Sequence, residues 1–301
     1  MAGPLDTEHL LDHVKDSKTF HVPRFLAENG ELHVPQIPGL SNRIDPIDIK
    51  VGITQIDQFI EPLDLQITKF MVLEVVAAIL VAGVFIYLAG KISTGLRPRG
   101  RLWNFLEVML LFIRDQVARP AIGRHDADRF LPFLWTLFFF ILACNLMGLV
   151  PWLGSPTGAL ATTGALALIT FATVTGSGMA KLGIVGFWKS LVPPMELPLI
   201  LAVFLKPPIF VIEVVGLGIK HFVLAVRLLA NMLAGHLVLA VLVAFIAVVW
   251  NQGWLAIVGV SCASIAGATA LSLLELFVAF LQAYIFTFLA ALFIGMAVHP
   301  H

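Results

Sequence analysis

"IFVIEVVGLGIKHFVLAVRLLANMLAGHLVLAVLVAFIAVVW", residues 209–250, contains no proline and no turn cluster. At 1.5 Å per residue an unbroken helix over this stretch is roughly 60 Å long, about twice a ~30 Å hydrocarbon core. Residues 254–298 read the same way. No loop signal near 227 or 273 divides either segment into two spans. The pair therefore predicts two long helices, tilted or bent, joined at "WNQGW".

The rest of the chain fits that setting. Of 301 residues, 59% are hydrophobic and 13% are charged, against about 25% charged in soluble domains. Net charge is zero, and no basic tract points to nucleic acid. Residues 1–65 are polar and proline-punctuated, and read as an extramembrane segment of short strands or extended chain. Further spans are predicted at about 70–90, 130–150 and 159–180, the last rich in Gly and Thr, which suits close helix packing. The fold class is all-α and polytopic: five membrane-crossing helices, the last two very long and oblique, plus one amphipathic surface helix. That helix is "LWNFLEVMLLFIRDQVARPAIG" (102–123), whose region's Arg101, Asn104, Glu107, Arg114, Asp115 and Arg119 share an arc of roughly 140°. Residues 181–208 carry five prolines, and "LPLILAVFL" there reads as too broken for a full helix. Cys144 and Cys262 fall in apolar runs and read as buried thiols. Neither a metal nor a cofactor is called for.

Lys and Arg near span ends set orientation. The 91–129 connection holds eight and the 181–206 connection three, while 151–158 and 251–253 hold none. The basic connections and the C-terminus are expected on the cytoplasmic side and the N-terminal segment outside. The N-terminus is acidic, with no basic n-region and no transit-peptide character, which leads to a bacterial inner membrane.

Polar residues inside the two long segments carry the functional signal. An ionisable group at membrane depth costs at least ~2.5–3.5 kcal/mol on insertion scales. Glu213, Lys220 and Arg227 are spaced by seven with Asn231 one turn on, so all four share a helix face. Glu275 and Gln282, also seven apart, share a face of the next helix. In an antiparallel hairpin, residues at one depth have a constant sum of positions. Arg227 with Gln282 totals 509 and His236 with Glu275 totals 511, so one register levels both pairs. Interhelical amide bonding is an equally good account of Asn231 and Gln282. Arg227 always carries its charge, and no carboxylate of the hairpin lies level with it, so its partner is expected in another chain.

These residues also carry a resemblance. "RLLANMLAGH" (227–236), "NLMGLVP" (145–151) and "ELFVAFLQAYIF" (275–286) resemble subunit a of the F-type ATP synthase, from about residue 66 to 298. The resemblance implies two oblique helices, within 209–298, curving against a ring of c subunits that each carry a mid-membrane carboxyl group. It implies that Arg227 separates two aqueous half-channels. His236 and Glu275 then line the outer one, Asn145 supports it, and Glu213 lines the inner exit. Asn231 and Gln282 position Arg227 or line its approach, and Lys220 sits on the same face. Some bacterial members exchange the residue types at 236 and 275, and many have an aspartate where this chain has Gly148. The implied partners are the c ring, the subunit b peripheral stalk, other ATP synthase subunits and the lipid bilayer. The implied role is a non-catalytic, proton-conducting stator subunit within residues 66–301. Two rival classes are a secondary cation transporter using Arg227, His236 and Glu275, and a structural membrane anchor. Against the transporter, no inverted repeat with matching broken helices is present.

Overall fold

The computed structural model describes residues 19–21, 31–34, 68–93, 100–150, 153–192, 199–249 and 253–299. Most of the N-terminal 65 residues, and the connections at 94–99 and 193–198, lie outside the described residues. Within the N-terminal segment, β1 (Thr19–His21) and β2 (Glu31–His33) pair antiparallel, with Phe20 opposite Leu32. The short strands expected there are thus present.

The helices follow in chain order: α1 (Lys69–Ser93), α2 (Arg101–Phe112), α3 (Arg119–Ile122), α4 (Ala127–Gly148), α5 (Leu160–Leu182), α6 (Ile184–Ser190), α7 (Leu199–Val248) and α8 (Trp254–Val298). Among the described residues, five stretches are long and apolar enough to cross a membrane: Lys69–Gly90, Ala127–Gly148, Leu160–Leu182, Phe204–Ile246 and Trp254–Val298. At 50 and 45 residues, α7 and α8 run roughly 75 and 68 Å at 1.5 Å per residue. They pack along one another, α4 and α5 both pack on α8, and α1 packs on α4.

One reading is corrected. Residues 199–208 are helical, and α7 passes through Pro207 and Pro208. A proline removes a backbone donor and costs about 3 kcal/mol in a soluble helix interior. Transmembrane helices tolerate it because neighbouring groups re-satisfy the freed carbonyls. The sequence rule weighted proline as though water were the competitor for the backbone. A second correction concerns the thiols: Cys144 is buried but Cys262 is exposed on α8. In a membrane chain an apolar run need not face the interior, since lipid accepts it as readily.

The amphipathic stretch is helical as expected, with one irregularity. Between α2 and α3, residues Ile113–Ala118 form a π-helical turn in which the Arg119 N–H donates to the Arg114 carbonyl. Pro120 follows directly, and its missing N–H leaves the Gln116 carbonyl without an α-helical donor, a defect that a wider turn absorbs. Arg114 Nε and Arg119 Nη1 both donate to Asp115 Oδ1, at 3.0 and 2.8 Å. The bond from Arg114, foremost, holds the Asp115 carboxyl below its usual range. Leu102, Phe105 and Val108 of α2 are exposed, an apolar stripe suited to lying against lipid.

The core sits where the end of this surface helix meets α4 and α8. Ile113, Ile122, Leu134, Phe138, Phe286 and Ile294 are fully buried there, and Phe138 meets Phe280 edge-to-face at 5.6 Å. Small residues bring the backbones together. Ala279, Ala283, Thr287, Ala290 and Gly295 are buried along α8, and Thr163, Thr170 and Gly178 along α5. This is the close packing that Gly and Thr foretold.

The same ends of three helices are tied by charge. Asp126, just before α4, accepts from Lys181 of α5 and lies 3.0 Å from His299 Nε2 beyond α8. The Lys181 ammonium, chiefly, holds the Asp126 carboxyl below its ordinary range. A lowered folded value means stability that is complete above the unfolded carboxylate range and is lost as pH falls through the lowered value. Asp126→Asn should therefore lower the neutral plateau of a plot of thermal midpoint against pH and flatten its acid side. At the other contact, a Cβ on Gly295 runs into the Ala121 carbonyl oxygen. Gly295→Val should cost about 1–3 kcal/mol by overpacking, read as a lower thermal midpoint of the purified protein. An unchanged midpoint would show that α3 and α8 can separate freely.

Candidate functional site

The site is built on the α7–α8 hairpin, and its register is visible in two glycine contacts. Gly235 packs directly against the Glu275 carboxylate, and Gly267 lies within 3.8 Å of Leu242, measured from an added Cβ. These pairs total 510 and 509, the register expected from the polar residues. Glycine at 235 is what lets Glu275 lie flat on α7, because a Cβ there would overlap Oε1.

His236 links α7 to the end of α4. Its Nδ1 lies 2.9 Å from the Met232 carbonyl and its Nε2 3.0 Å from the Gly148 carbonyl. A neutral imidazole donates through one nitrogen only, so one of these two carbonyls is its acceptor and the other faces a bare ring nitrogen. Gly148 is tightly enclosed: a Cβ added there would stand 2.6 Å from Ser155 Cβ and 2.8 Å from Met232 Cε. A larger side chain at this position has no room without a shift of the 153–158 turn or of Met232.

Two small cavities flank the imidazole, each about 10 Å³, the room that one water needs. The first lies among Gly154, Ser155, Met232, Leu233 and His236. The second lies among Leu149, Asn231, Met232, His236, Glu275 and Val278. Glu275 Oε1 is buried with no hydrogen-bond partner among the described residues. A carboxyl oxygen left bare beside such a cavity is a place for water.

Asn145 backs this arrangement from α4. It is 0% exposed, donates from Nδ2 to the Ala279 carbonyl at 3.2 Å and accepts from Thr157 Oγ1 at 2.7 Å. Thr157 in turn shares a 2.7 Å hydrogen bond with Ser155. The sequence reading passed over Ser155 and Thr157 as part of a short uncharged turn. Both are buried, and hydroxyls without charge gave no signal of it.

The structure thus gathers Asn145, Asn231, His236 and Glu275 in one neighbourhood. The remaining candidates stand apart from it. Gln282 is buried at 4% on α8, level with Arg227 by the same register. Arg227 and Glu213 are half-buried and Lys220 is exposed; within the gathered group Asn231 is itself exposed. Among the described residues, no carboxylate pairs with Arg227, and no side-chain hydrogen bond joins it to Asn231 or Gln282. The face it shares with Lys220 and Asn231 is open, and exposed Ile219, Phe222 and Val223 of α7 accompany exposed Leu274 and Phe277 of α8. Two polar residues within spans escaped the sequence reading. Glu74, in the second turn of α1, accepts from Thr162 Oγ1 at 2.5 Å. His221, 3% exposed, sits between Phe171 and Phe293 at ring distances of 5.2 and 5.1 Å. For Glu74 the signal was present, since an acid inside an apolar run is itself exceptional.

The membrane part of the described residues is helical, and ionisable side chains lie on its two longest helices. The comparisons narrow this. Residues 71–295 match the family described as ATP synthase A chain, and the chain belongs to that family. It is 43% identical over 242 residues to ATP synthase subunit a of Myxococcus xanthus (strain DK1622), covering 79% of this chain and 76% of that one. It is 41% identical over 239 residues to the subunit a of Anaeromyxobacter sp. (strain Fw109-5), of which the match spans 56%. It is 36% identical over 292 residues to ATP synthase subunit a 2 of Chlorobaculum tepidum, covering 96% of this chain and 72% of the relative. Membership places the chain in an ATP synthase complex, in ion transport and ATP synthesis, as a protein of transmembrane helices.

Asn145→Leu should leave the Thr157 hydroxyl and the Ala279 carbonyl without their buried partner. The loss should be about 1–3 kcal/mol, read as a lower thermal midpoint. A neutral result would show that water replaces the amide without cost.

Proposed function

We propose that this chain is the proton-conducting stator subunit of the membrane sector, offering two half-channels to a rotating c ring with Arg227 between them. The observation that carries the reading is Arg227 itself: a permanent charge on an open helix face, with no counter-charge among the described residues. A ring carboxylate passing Arg227 stays ionised beside it. Moved onto lipid, the same group must be neutral, so it takes a proton from one channel before it leaves the interface. Arg227 cannot deprotonate, so it passes no proton itself and blocks a direct leak.

The outer half-channel runs by His236 and Glu275, supported by Asn145, with the two small cavities holding water. Glu213 lines the inner exit. Asn231 and Gln282 flank the approach to Arg227, and Lys220 adds positive charge to the same face. The chain itself does no chemistry on ATP. Residues 1–65 form an outer segment and 66–301 the membrane part, with the Asp126–Lys181–His299 end on the cytoplasmic side of a bacterial inner membrane, in keeping with the Lys/Arg distribution. Subunit b and other synthase subunits hold it against rotation. Each charge crossing 100 mV supplies ~2.3 kcal/mol, and several per turn add up to a driving force.

ATP-driven acidification of inverted membrane vesicles tests the reading. Arg227→Ala and Arg227→Lys should both abolish pumping while the complex still assembles, since a lysine can shed its proton and holds no fixed fork. Normal pumping by both variants would sink the stator mechanism.

A further inference from the structure

We infer that Glu74 is a further proton-accepting residue, at the outer mouth of the path, feeding His236 through the buried hydroxyls of the 153–158 turn. The inference rests on the stator reading above and adds a carboxyl group from α1, a helix to which that reading gives no part.

The geometry is as follows. Glu74 lies in the second turn of α1 and Thr162 in the first turn of α5. Both helices begin at the membrane side where α4 ends, so the pair lies at the depth of Asn145 and Gly148. Thr162 is buried, and its hydroxyl donates to Glu74 Oε1. Glu74 is near enough to Cys144 of α4 to act on it electrostatically, and Ser155 Oγ donates to the Cys144 carbonyl at 3.4 Å. The Pro156–Gly158 turn packs against α1, α4, α5 and α7, so it touches both the helix of Glu74 and the helix of His236. Thr157, which also donates to Asn145 Oδ1, shares a 2.7 Å hydrogen bond with Ser155, and Ser155 shares a one-water cavity with His236; on this inference a water bridges Thr162 to Thr157.

The step is proton exchange alone. The Glu74 carboxylate takes a proton from a hydronium at the outer surface, leaving water. As it returns that proton, each hydroxyl in line gains one proton on its oxygen while giving up its own, and His236 receives the last. One proton moves in net, no heavy-atom bond changes, and the reverse sequence serves pumping.

The rival is that Glu74 and Thr162 merely fasten α1 to α5. Two substitutions separate the readings in the whole complex in inverted vesicles. Glu74→Gln keeps an oxygen for the Thr162 hydroxyl but cannot take up a proton. Thr162→Val removes the hydrogen bond and keeps the carboxyl group. If Glu74 carries protons, Glu74→Gln lowers ATP-driven acidification at least about tenfold with assembly intact, and Thr162→Val lowers it less. Glu74→Asp retains pumping, with an altered dependence on lumenal pH, the side that corresponds to outside. If Glu74→Gln pumps like the wild type, the inference is overturned. Should Glu74→Gln assemble poorly, Glu74→Asp decides, because an unchanged lumenal pH profile would also overturn it. Arg227→Ala runs alongside: normal pumping by that variant would remove the stator reading itself, a result distinct from failure at Glu74 alone.

Discussion

A guanidinium that cannot shed its proton, placed in an apolar helix, is the constraint that orders this molecule. The insertion cost of at least ~2.5–3.5 kcal/mol has to be met by a counter-charge, by water or by partial exposure. Arg227 is half-buried and has no carboxylate partner among the described residues, so its own chain leaves it on an open face. The great length of α7 and α8 belongs to the same problem. A helix of twice the membrane's thickness must lie obliquely or curve, and so presents a long surface at mid-membrane depth instead of a single crossing point.

Everything packed behind the hairpin keeps that surface rigid. Alanine, threonine and glycine along α8 and α5 let helices approach closely, and that closeness generates the site's contacts. Gly235 admits Glu275, Gly148 admits both Met232 and the Ser155 turn, and its carbonyl reaches His236. Without side chains at these two glycines, a carboxylate and an imidazole from different helices come to line one small cavity. Asn145 then fixes α4 to α8 through the Ala279 carbonyl, so the cradle of His236 cannot drift from the helix that bears Glu275.

Much of this was legible in the sequence. Span positions followed from apolar run length, and the register followed from the nearly equal position sums of Arg227 with Gln282 and of His236 with Glu275. Thr163, Thr170 and Gly178 announced a tightly packed α5. Other features were illegible for physical reasons. Pro207 and Pro208 looked like a break because proline's penalty depends on what competes for the freed carbonyl. The π-helical turn before Pro120 was missed because a proline four residues after Gln116 signals a lost donor without saying whether the helix breaks, kinks or widens. Ser155 and Thr157 are small neutral residues whose burial comes wholly from tertiary packing. Cys262 looked interior because hydrophobicity does not separate a lipid-facing position from a core position.

Spacing along α7 carries the last step. Glu213 precedes Arg227 by 14 residues and His236 follows it by nine, which is roughly 21 Å and 14 Å along the helix axis. No proton can jump either distance, and the polar side chains on that face between them are Lys220, Arg227 and Asn231. The polar groups near His236, from Glu74 through Ser155 to Glu275, all lie on one side of Arg227, and Glu213 lies on the other. The proposed stator reading needs two separate wet regions with Arg227 between them. On the proposed reading, the missing link is a group that moves past Arg227 carrying the proton, so the absence of an internal path is what couples transport to rotation.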